Sequence, residues 1–153
     1  MRALTTWSRR LILAVAAIAV LVSIACGSDS PTAPDGFDVP ALQITEVTVG
    51  TGATTVAYGS TVTVHYEGWV YDPAAAQNRG LKFDDTRATS LPATFTLVNQ
   101  SIIPGWIQGM TGMKIGGRRI LLIPSVLAYG RSGKNSIPPN SAIIFDIELL
   151  DAR

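Results

Sequence analysis

One segment of the chain alternates apolar or small residues with mostly polar ones, and this alternation limits the local fold more than any other feature. Between Thr61 and Tyr71 the apolar or small positions are Val62, Val64, Tyr66, Gly68 and Val70. A period of two residues is typical of a β-strand with one buried face. Tyr66 is therefore predicted to face the core, and His65 to face the other way.

Four further segments favour strands. Ile143 to Leu149 alternates in the same manner, which predicts that Phe145 points inward. The other three are Gln43 to Val49, Thr94 to Leu97 and Arg118 to Ile123. The sequence thus predicts a strand-rich chain with an antiparallel sheet.

A single short helix is predicted near the middle of the chain. Ile103, Trp106, Ile107 and Met110 recur at helical spacing. Pro104 suits the first helical position, where its missing amide hydrogen would be unpaired in any case. The backbone N–H of Ile103 would then lie just outside the helix and be free for a ligand. Five or six strands around one short helix make an α+β domain.

The first 25 residues have the pattern of a secretory signal peptide. Arg2, Arg9 and Arg10 precede an apolar run from Leu11 to Ala25 that only Ser23 interrupts. A run of about 15 residues is shorter than the roughly 20 that cross a bilayer as a helix. A basic flank, a short apolar run and small residues after it are typical of an export signal at 1–25.

Cys26, the only cysteine, stands where cleavage of that signal would fall, and the segment resembles a bacterial lipobox. The resemblance implies lipidation of Cys26 and anchoring to a membrane of the cell envelope, on the periplasmic side or the outer surface. Ser23 departs from the pattern, because leucine usually stands three residues before the cysteine. Two other interpretations stay open, namely a soluble exported protein with a free thiol and an uncleaved anchor. With one cysteine the fold has no internal disulfide.

Residues 26–40 predict a flexible linker, and residues 41–153 one domain. The linker is rich in Gly, Ser, Pro and Asp and has no apolar period. The first 25 residues hold three of the 12 basic residues and none of the 11 acidic ones, so the exported part is mildly acidic. Without a basic cluster it offers no surface for nucleic acid.

Seven short motifs occur in order along the predicted domain, and together they resemble the FKBP-type peptidyl-prolyl cis-trans isomerases. They are Val64-His65-Tyr66-Glu67-Gly68, Lys82-Phe83-Asp84, Ile102-Ile103-Pro104-Gly105-Trp106, Gly112-Met113-Lys114-Ile115-Gly116, Ala128-Tyr129-Gly130, Ile137-Pro138-Pro139 and Phe145-Asp146-Ile147-Glu148-Leu149. No motif is specific alone, but their order is. The resemblance covers about Leu42 to Asp151 and implies a sheet wrapped around one helix.

The resemblance also implies a pocket for the ring of a substrate proline, with Trp106 as its floor. The catalytic residues it implies are Tyr66, Asp84, Tyr129 and Phe145, and the substrate-binding residues are Phe83, Ile102, Ile103, Trp106 and Ile137. The Ile103 N–H and the Tyr129 hydroxyl would hold substrate carbonyls. Asp84 would lie beside the twisting amide, tied to a neighbour such as Tyr66.

Each of these residues also has a simpler structural interpretation. Aromatic residues at alternating strand positions usually belong to the core, and Asp84 could be a turn carboxylate before Asp85. His65 lies on the wrong face for the pocket and has no second histidine with which to bind zinc. No metal and no cofactor are expected, because rotation about an X-Pro bond needs neither.

Four departures from the family pattern bear on substrate preference and macrolide affinity. Tyr71 to Gly80 lengthens a turn, and Arg131 to Ser136 replaces a flap that contains His-Pro in many members. Thr89 stands where many members have Arg. Ala93 stands where many have Phe, which removes one wall of the pocket.

The sequence leaves two functions open. The first is an isomerase that accelerates folding of exported proteins, binds proline-containing polypeptides as a monomer, and is inhibited by macrolides such as tacrolimus or rapamycin. The second is a non-catalytic module that holds proline-containing segments, as a chaperone or adhesin would. Asp84 favours the isomerase, because binding alone would tolerate its loss.

Overall fold

A computed structural model of the protein describes residues 35–153. The predicted signal peptide at 1–25, Cys26 and residues 27–34 of the predicted linker lie outside the described residues. Within residues 35–153 no helix is long and apolar enough to cross a membrane.

The described chain forms one antiparallel sheet of six strands and one α-helix. The elements are β1 (Gln43–Thr48), β2 (Thr61–Tyr71), β3 (Arg79–Asp85), β4 (Ala93–Thr96), α1 (Pro104–Met110), β5 (Arg118–Ile123) and β6 (Ile143–Ala152). The sheet order is β1-β5-β6-β2-β3, and β4 also pairs with β2. The predicted α+β class, with an antiparallel sheet and one short helix, is confirmed.

Strand β2 organises the sheet, and its sequence alternation corresponds to its two faces. Val62 and Val64 are fully buried and Tyr66 is 8% exposed, whereas His65 lies at intermediate depth on the opposite face. Trp69 departs from the predicted pattern, because it is buried on the outer face. The Arg79 guanidinium lies 4.2 Å from the centre of its ring and the Lys82 ammonium 5.2 Å, so two cations cover it.

Strand β3 is the one strand that the sequence did not predict. Its residues, Arg-Gly-Leu-Lys-Phe-Asp-Asp, alternate in polarity only from Leu81 to Asp84, and the strand lies at the edge of the sheet with two shifts of register against β2. The predicted long turn from Tyr71 to Gly80 is therefore shorter, since β3 already begins at Arg79. A single 3₁₀ turn, Ala76–Asn78, connects the two strands.

Helix α1 lies directly on β5, and two glycines make the close approach possible. A Cβ atom on Gly105 would collide with the side chain of Ile123, and one on Gly109 would lie 2.5 Å from Cδ1 of Leu121. Pro104 occupies the first helical position, as predicted, and Ile103 is the N-cap. The resulting contact buries Trp106 and Met110 in the core.

The first described residues form a strap that is hydrogen-bonded to the rest of the domain. The Gly36 N–H donates to the Pro139 carbonyl at 2.9 Å, and the Ala142 N–H donates to the Phe37 carbonyl at 2.7 Å. The Asp38 carboxylate accepts from both the N–H of Ser125, at 2.8 Å, and its hydroxyl, at 2.5 Å. Residues 35–40, which the sequence assigned to the flexible linker, are thus held against the domain.

Candidate active site

Trp106 lies at the centre of a cluster of aromatic rings that the sheet and α1 bring together. Its indole is 2% exposed, and its ring centre lies 5.1 Å from those of Tyr66 and Phe145, with interplanar angles of 87° and 89°. Phe83 continues the cluster, edge to face with Phe145 at 5.5 Å. Edge-to-face pairs of this geometry stabilise one another beyond simple burial, so these contacts hold the Trp106 indole in place.

The Tyr66 hydroxyl donates a 2.6 Å hydrogen bond to Oδ2 of Asp84, as expected. The other carboxylate oxygen of Asp84 accepts the N–H of Asp85 at 2.9 Å. Asp84 is part of β3, not of a turn, and the carboxylate is held at the rim of the aromatic cluster. Both of its oxygens have partners, which fixes the direction of its charge.

Thr86 holds Tyr66 in place at a gap in the sheet. One edge of β2 pairs with β4 up to Val64 and with β3 from Glu67 onward, which leaves Tyr66 between the two partner strands. The Thr86 hydroxyl accepts the Tyr66 N–H at 2.8 Å and donates to the Tyr66 carbonyl at 3.1 Å. His65 Nδ1 is 3.2 Å from the same hydroxyl, so this histidine takes part in the support of Tyr66.

Both tyrosines of the site remain protonated at neutral pH. Burial, and then the hydrogen bond to Asp84, raises the pKa of Tyr66 well above its ordinary value near 10. Burial and the nearby charge of Asp84 likewise raise the pKa of Tyr129. The Tyr66 hydroxyl donates its hydrogen to Asp84, and the neutral hydroxyl of Tyr129 keeps a hydrogen to donate.

Two adjoining depressions open beside the aromatic cluster. The first has a volume of about 130 Å³ and is lined by Phe83, Asp84, Tyr129, Ile137 and the flap residues 134–136. The second, of about 390 Å³, is lined by residues 100–104 together with Tyr129 and Lys134. Ile103 lies in the second depression, and its N–H donates to no acceptor in the described part of the chain.

All nine predicted site residues within the domain lie in this one region. Phe83 belongs both to the aromatic cluster and to the first depression, and Tyr129 belongs to both depressions. Ile102, Ile103 and Ile137 line the depressions and pack on the same core. The tenth residue, the predicted lipidation site Cys26, lies outside the described residues.

A family model, described as FKBP-type peptidyl-prolyl cis-trans isomerase, matches residues 52–150, which is more than half of the chain. The chain belongs to this family. Its activity is therefore isomerisation of the bond that precedes proline. The family binds proline-containing peptides and FK506, which is tacrolimus.

Bacterial proteins are among the relatives of this FKBP-type isomerase, and two of them show how much of each chain is matched. An "FK506-binding protein" of Neisseria meningitidis serogroup C is 44% identical over 93 residues, which is 60% of this chain and 79% of the relative. FkpA of Escherichia coli K12, an FKBP-type peptidyl-prolyl cis-trans isomerase, is 42% identical over 93 residues, or 61% of this chain and 31% of FkpA. The matched region is thus most of one relative and under a third of the other.

A crystal structure of FkpA from Escherichia coli has the same fold. It superposes with a TM-score of 0.63 at 38% identity and covers 73% of this chain and 48% of that one.

The geometry of the FKBP-type site suits a reaction without proton transfer. Rotation about an X-Pro bond breaks amide resonance, over a barrier of roughly 18 to 20 kcal/mol. A planar amide is more polar than a twisted one, so a pocket that excludes water disfavours the ground state relative to the transition state. Burial of a proline ring in an apolar pocket would contribute about 25 cal/mol per Å² of apolar surface. Among residues 35–153 no group of three or more potential metal ligands occurs.

Sequence reasoning did not identify three residues that shape this site. Phe95 packs edge to face on Trp106 with ring centres 5.3 Å apart, although the sequence only indicated a missing wall at Ala93. A Cβ atom on Gly68 would lie 2.8 Å from the rings of both Phe83 and Phe145, so only glycine admits them. The alternation of β4 places Phe95 on the same face as Ala93, and this signal could have identified it. Thr86 had no comparable signal in the sequence.

Proposed function

We propose that the protein is a lipid-anchored isomerase of the cell envelope that accelerates the folding of exported polypeptides. The aromatic pocket with its Tyr66–Asp84 hydrogen bond is the observation that carries the enzymatic part. The basic flank and apolar run of residues 1–25, followed by Cys26, support export and anchoring. The protein acts as a monomer in this proposal.

The proposed clients are polypeptides whose folding waits for an X-Pro bond. Uncatalysed exchange takes tens to hundreds of seconds, which is slow enough to limit folding. The unused N–H of Ile103 and the protonated hydroxyl of Tyr129 would hold the carbonyls of the client on either side of the ring. Asp84 would orient the twisting amide through its fixed charge.

Exchange of a Leu-Pro test peptide tests the enzymatic part. The protein is expected to accelerate cis-to-trans exchange, and tacrolimus or rapamycin is expected to block the acceleration. Asp84→Ala is expected to reduce it, while Asp151→Ala, which removes an exposed carboxylate outside the site, serves as the control. To test the role of Phe145, Phe145→Leu is preferable to Phe145→Ala, because truncation of a buried phenylalanine to alanine costs about 3 to 5 kcal/mol of stability. A folded protein that leaves exchange at the uncatalysed rate would instead be a binding module for proline-containing segments.

Lipidation is tested on the full chain. Cells that produce the protein are fed a labelled fatty acid, and the wild type is compared with Cys26→Ala. Label on the wild type alone, with both label and membrane association lost in the variant, supports the anchor. If the wild type is found in the soluble fraction and carries no label, it is an ordinary exported protein. If it stays in the membrane without label, it retains its apolar run as an uncleaved anchor.

A further inference from the structure

A short hairpin in the flap fixes the backbone of Lys134 at the mouth of the pocket. The Lys134 N–H donates to the Ile137 carbonyl at 3.0 Å, and the Ile137 N–H donates to the Lys134 carbonyl at 2.8 Å. Asn135, within the turn, has a φ of 51°, a conformation that asparagine tolerates better than most residues. Because Ile137 is itself buried, the hairpin ties Lys134 to the wall of the site.

The side chain of Lys134 lies between the two depressions. Its ammonium nitrogen is 5.1 Å from the centre of the Tyr129 ring, within the range of a cation–π interaction. Lys134 lines the depression that contains Asp84 and also the one that contains Ile103. A peptide that occupies both depressions would pass beside this charge.

Within the site, the charge of Lys134 has no partner of opposite sign. Lys134 forms no salt bridge with any carboxylate of residues 35–153. Asp84, in the first depression, is the one acidic residue among those that line the two depressions. Both of its carboxylate oxygens accept hydrogen bonds, from Tyr66 and from the Asp85 N–H. The site thus presents an exposed ammonium group that a bound client could neutralise.

We infer that Lys134 determines specificity and favours client segments with Asp or Glu next to the proline. This inference rests on the proposed isomerase function and adds a substrate class to it. A carboxylate on either side of the proline would pair with the ammonium only when the proline ring is seated on Trp106. A charge pair of this kind acts on selection between partners more than on total affinity.

Matched test peptides measure the preference directly. One pair carries Glu or Gln before the proline, the second pair carries Glu or Gln after it, and a Leu-Pro peptide reports the basic activity. At low salt, the ratio of kcat/KM for Glu over Gln is expected to be about two- to fivefold in at least one pair, as for an exposed ion pair. The ratio is expected to approach one as salt screens the charges.

Variants of Lys134 assign the preference to its charge. Lys134→Met is expected to bring the Glu/Gln ratio to about one, Lys134→Arg to retain it, and Lys134→Glu to invert it. The ratio cancels any general loss of activity in a variant. Lys114→Met is the control. Lys114 is exposed, forms a backbone β-bridge with Thr55 and lines neither depression, so removing its charge should leave the Glu/Gln ratio as in the wild type.

Two failures can be told apart. A wild type that isomerises the Leu-Pro peptide but has the same Glu/Gln ratio as Lys134→Met in both pairs overturns this inference alone. A wild type that isomerises none of the peptides overturns the proposed isomerase function, and the inference falls with it.

Discussion

The hydrogen bond between Tyr66 and Asp84 is the most direct point at which one residue controls the site. Tyr66→Phe keeps the ring and its contacts with Trp106 but releases the carboxylate, whose direction is then set by one bond instead of two. We expect kcat/KM for a Leu-Pro peptide to fall about 10-fold or more, since hydrogen bonds to charged groups contribute roughly 1.5 to 3 kcal/mol and about 1.4 kcal/mol is a factor of ten in rate. Tyr58→Phe is the matched control, because Tyr58 is exposed. Equal activity of the two variants would show that Asp84 needs no orientation.

The raised pKa values of Tyr66 and Tyr129 make a prediction about pH. Both hydroxyl groups stay protonated through neutral pH, so they should cause no fall of kcat/KM between about pH 6 and pH 9.

The same two tyrosines should make the stability of the fold depend on pH at high pH. A pKa that is higher in the folded state stabilises the fold fully below the unfolded value near 10, and the contribution is lost as pH rises above it. Denaturant titrations across this range measure the effect, and a constant free energy of unfolding up to about pH 12 would contradict it.

For single residues, the sequence predicts on which face of a strand a side chain lies better than it predicts which other side chains it contacts. The strand alternation places Tyr66 and Phe145 inward because side chains in a strand must alternate. The family resemblance then assigns them, with Asp84 and Trp106, to one pocket. The position of the Lys134 ammonium over Tyr129 could not be predicted, because it depends on how a flap of unusual sequence turns.

At the scale of elements, the contact between α1 and β5 determines where Trp106 lies. Gly109→Ala would favour an isolated helix by about 1 kcal/mol, since alanine is the better helix former. Here its Cβ would lie 2.5 Å from Cδ1 and 2.8 Å from Cδ2 of Leu121, a fully buried side chain. We expect a net loss of about 1 to 3 kcal/mol in the free energy of unfolding, as for other overpacked cores. Gln108→Ala, at an exposed position of the same helix, should change it by under about 0.5 kcal/mol. A more stable Gly109→Ala protein would mean that the helix can move away from β5.

A buried carboxylate links three strands on the outer face of the sheet. Asp146 of β6 is fully buried and accepts two bonds from Arg118 of β5, at 2.7 and 2.9 Å, and one from Arg79 of β3 at 3.0 Å. Asp146→Asn is expected to lower the free energy of unfolding by about 2 kcal/mol, below the usual cost of breaking a buried pair because both arginines reach solvent. Asp151→Asn, at an exposed position of the same strand, is the control.

The same carboxylate predicts how stability responds to acid. Burial alone would raise the pKa of Asp146, but the two arginines outweigh it, and the pKa is lowered. A lowered pKa stabilises the fold above the unfolded value near 3.9, and the contribution is lost as pH falls below that value. The wild type should therefore lose more stability than Asp146→Asn when pH drops from about 5 to 3. Parallel pH profiles of the two proteins would argue against this role.

The elements that the sequence missed or misplaced have physical explanations. The edge strand β3 alternates in polarity only from Leu81 to Asp84, which is the shortest run that indicates a strand. Trp69 reads as a residue of the solvated face, yet Arg79 and Lys82 fold over its ring from the neighbouring strand. Long-range pairs of this kind depend on the register between strands, which a local pattern does not contain.

For the whole molecule, the strap connects the N-terminal side of the chain to the loops around the site. Asp35 accepts a hydrogen bond from the Asn140 side chain at 2.9 Å, and Gly36 binds the carbonyl of Pro139, two residues beyond Ile137 of the pocket. Composition predicted a flexible linker through residue 40, because Gly, Pro and Asp rarely form regular structure. Backbone and carboxylate hydrogen bonds can hold such a segment without any apolar pattern, so composition alone could not find where the strap begins.

Asp38 is the anchor of this strap, and its removal tests whether the strap stabilises the domain. Burial would raise the pKa of Asp38, but the two hydrogen bonds from Ser125, together with one from the Val39 N–H, outweigh it, and the pKa is lowered. We expect Asp38→Ala in the full chain to lower the free energy of unfolding at neutral pH by about 1 to 2 kcal/mol. Ser125→Ala removes only the hydroxyl bond, so the double variant should cost less than the sum of the two single ones. Asp35→Ala, which breaks one exposed bond, should cost less than Asp38→Ala. If the Asp38 and Ser125 effects simply add, the Ser125 hydroxyl does not hold the carboxylate, which would then be bound to this residue by the Ser125 N–H alone.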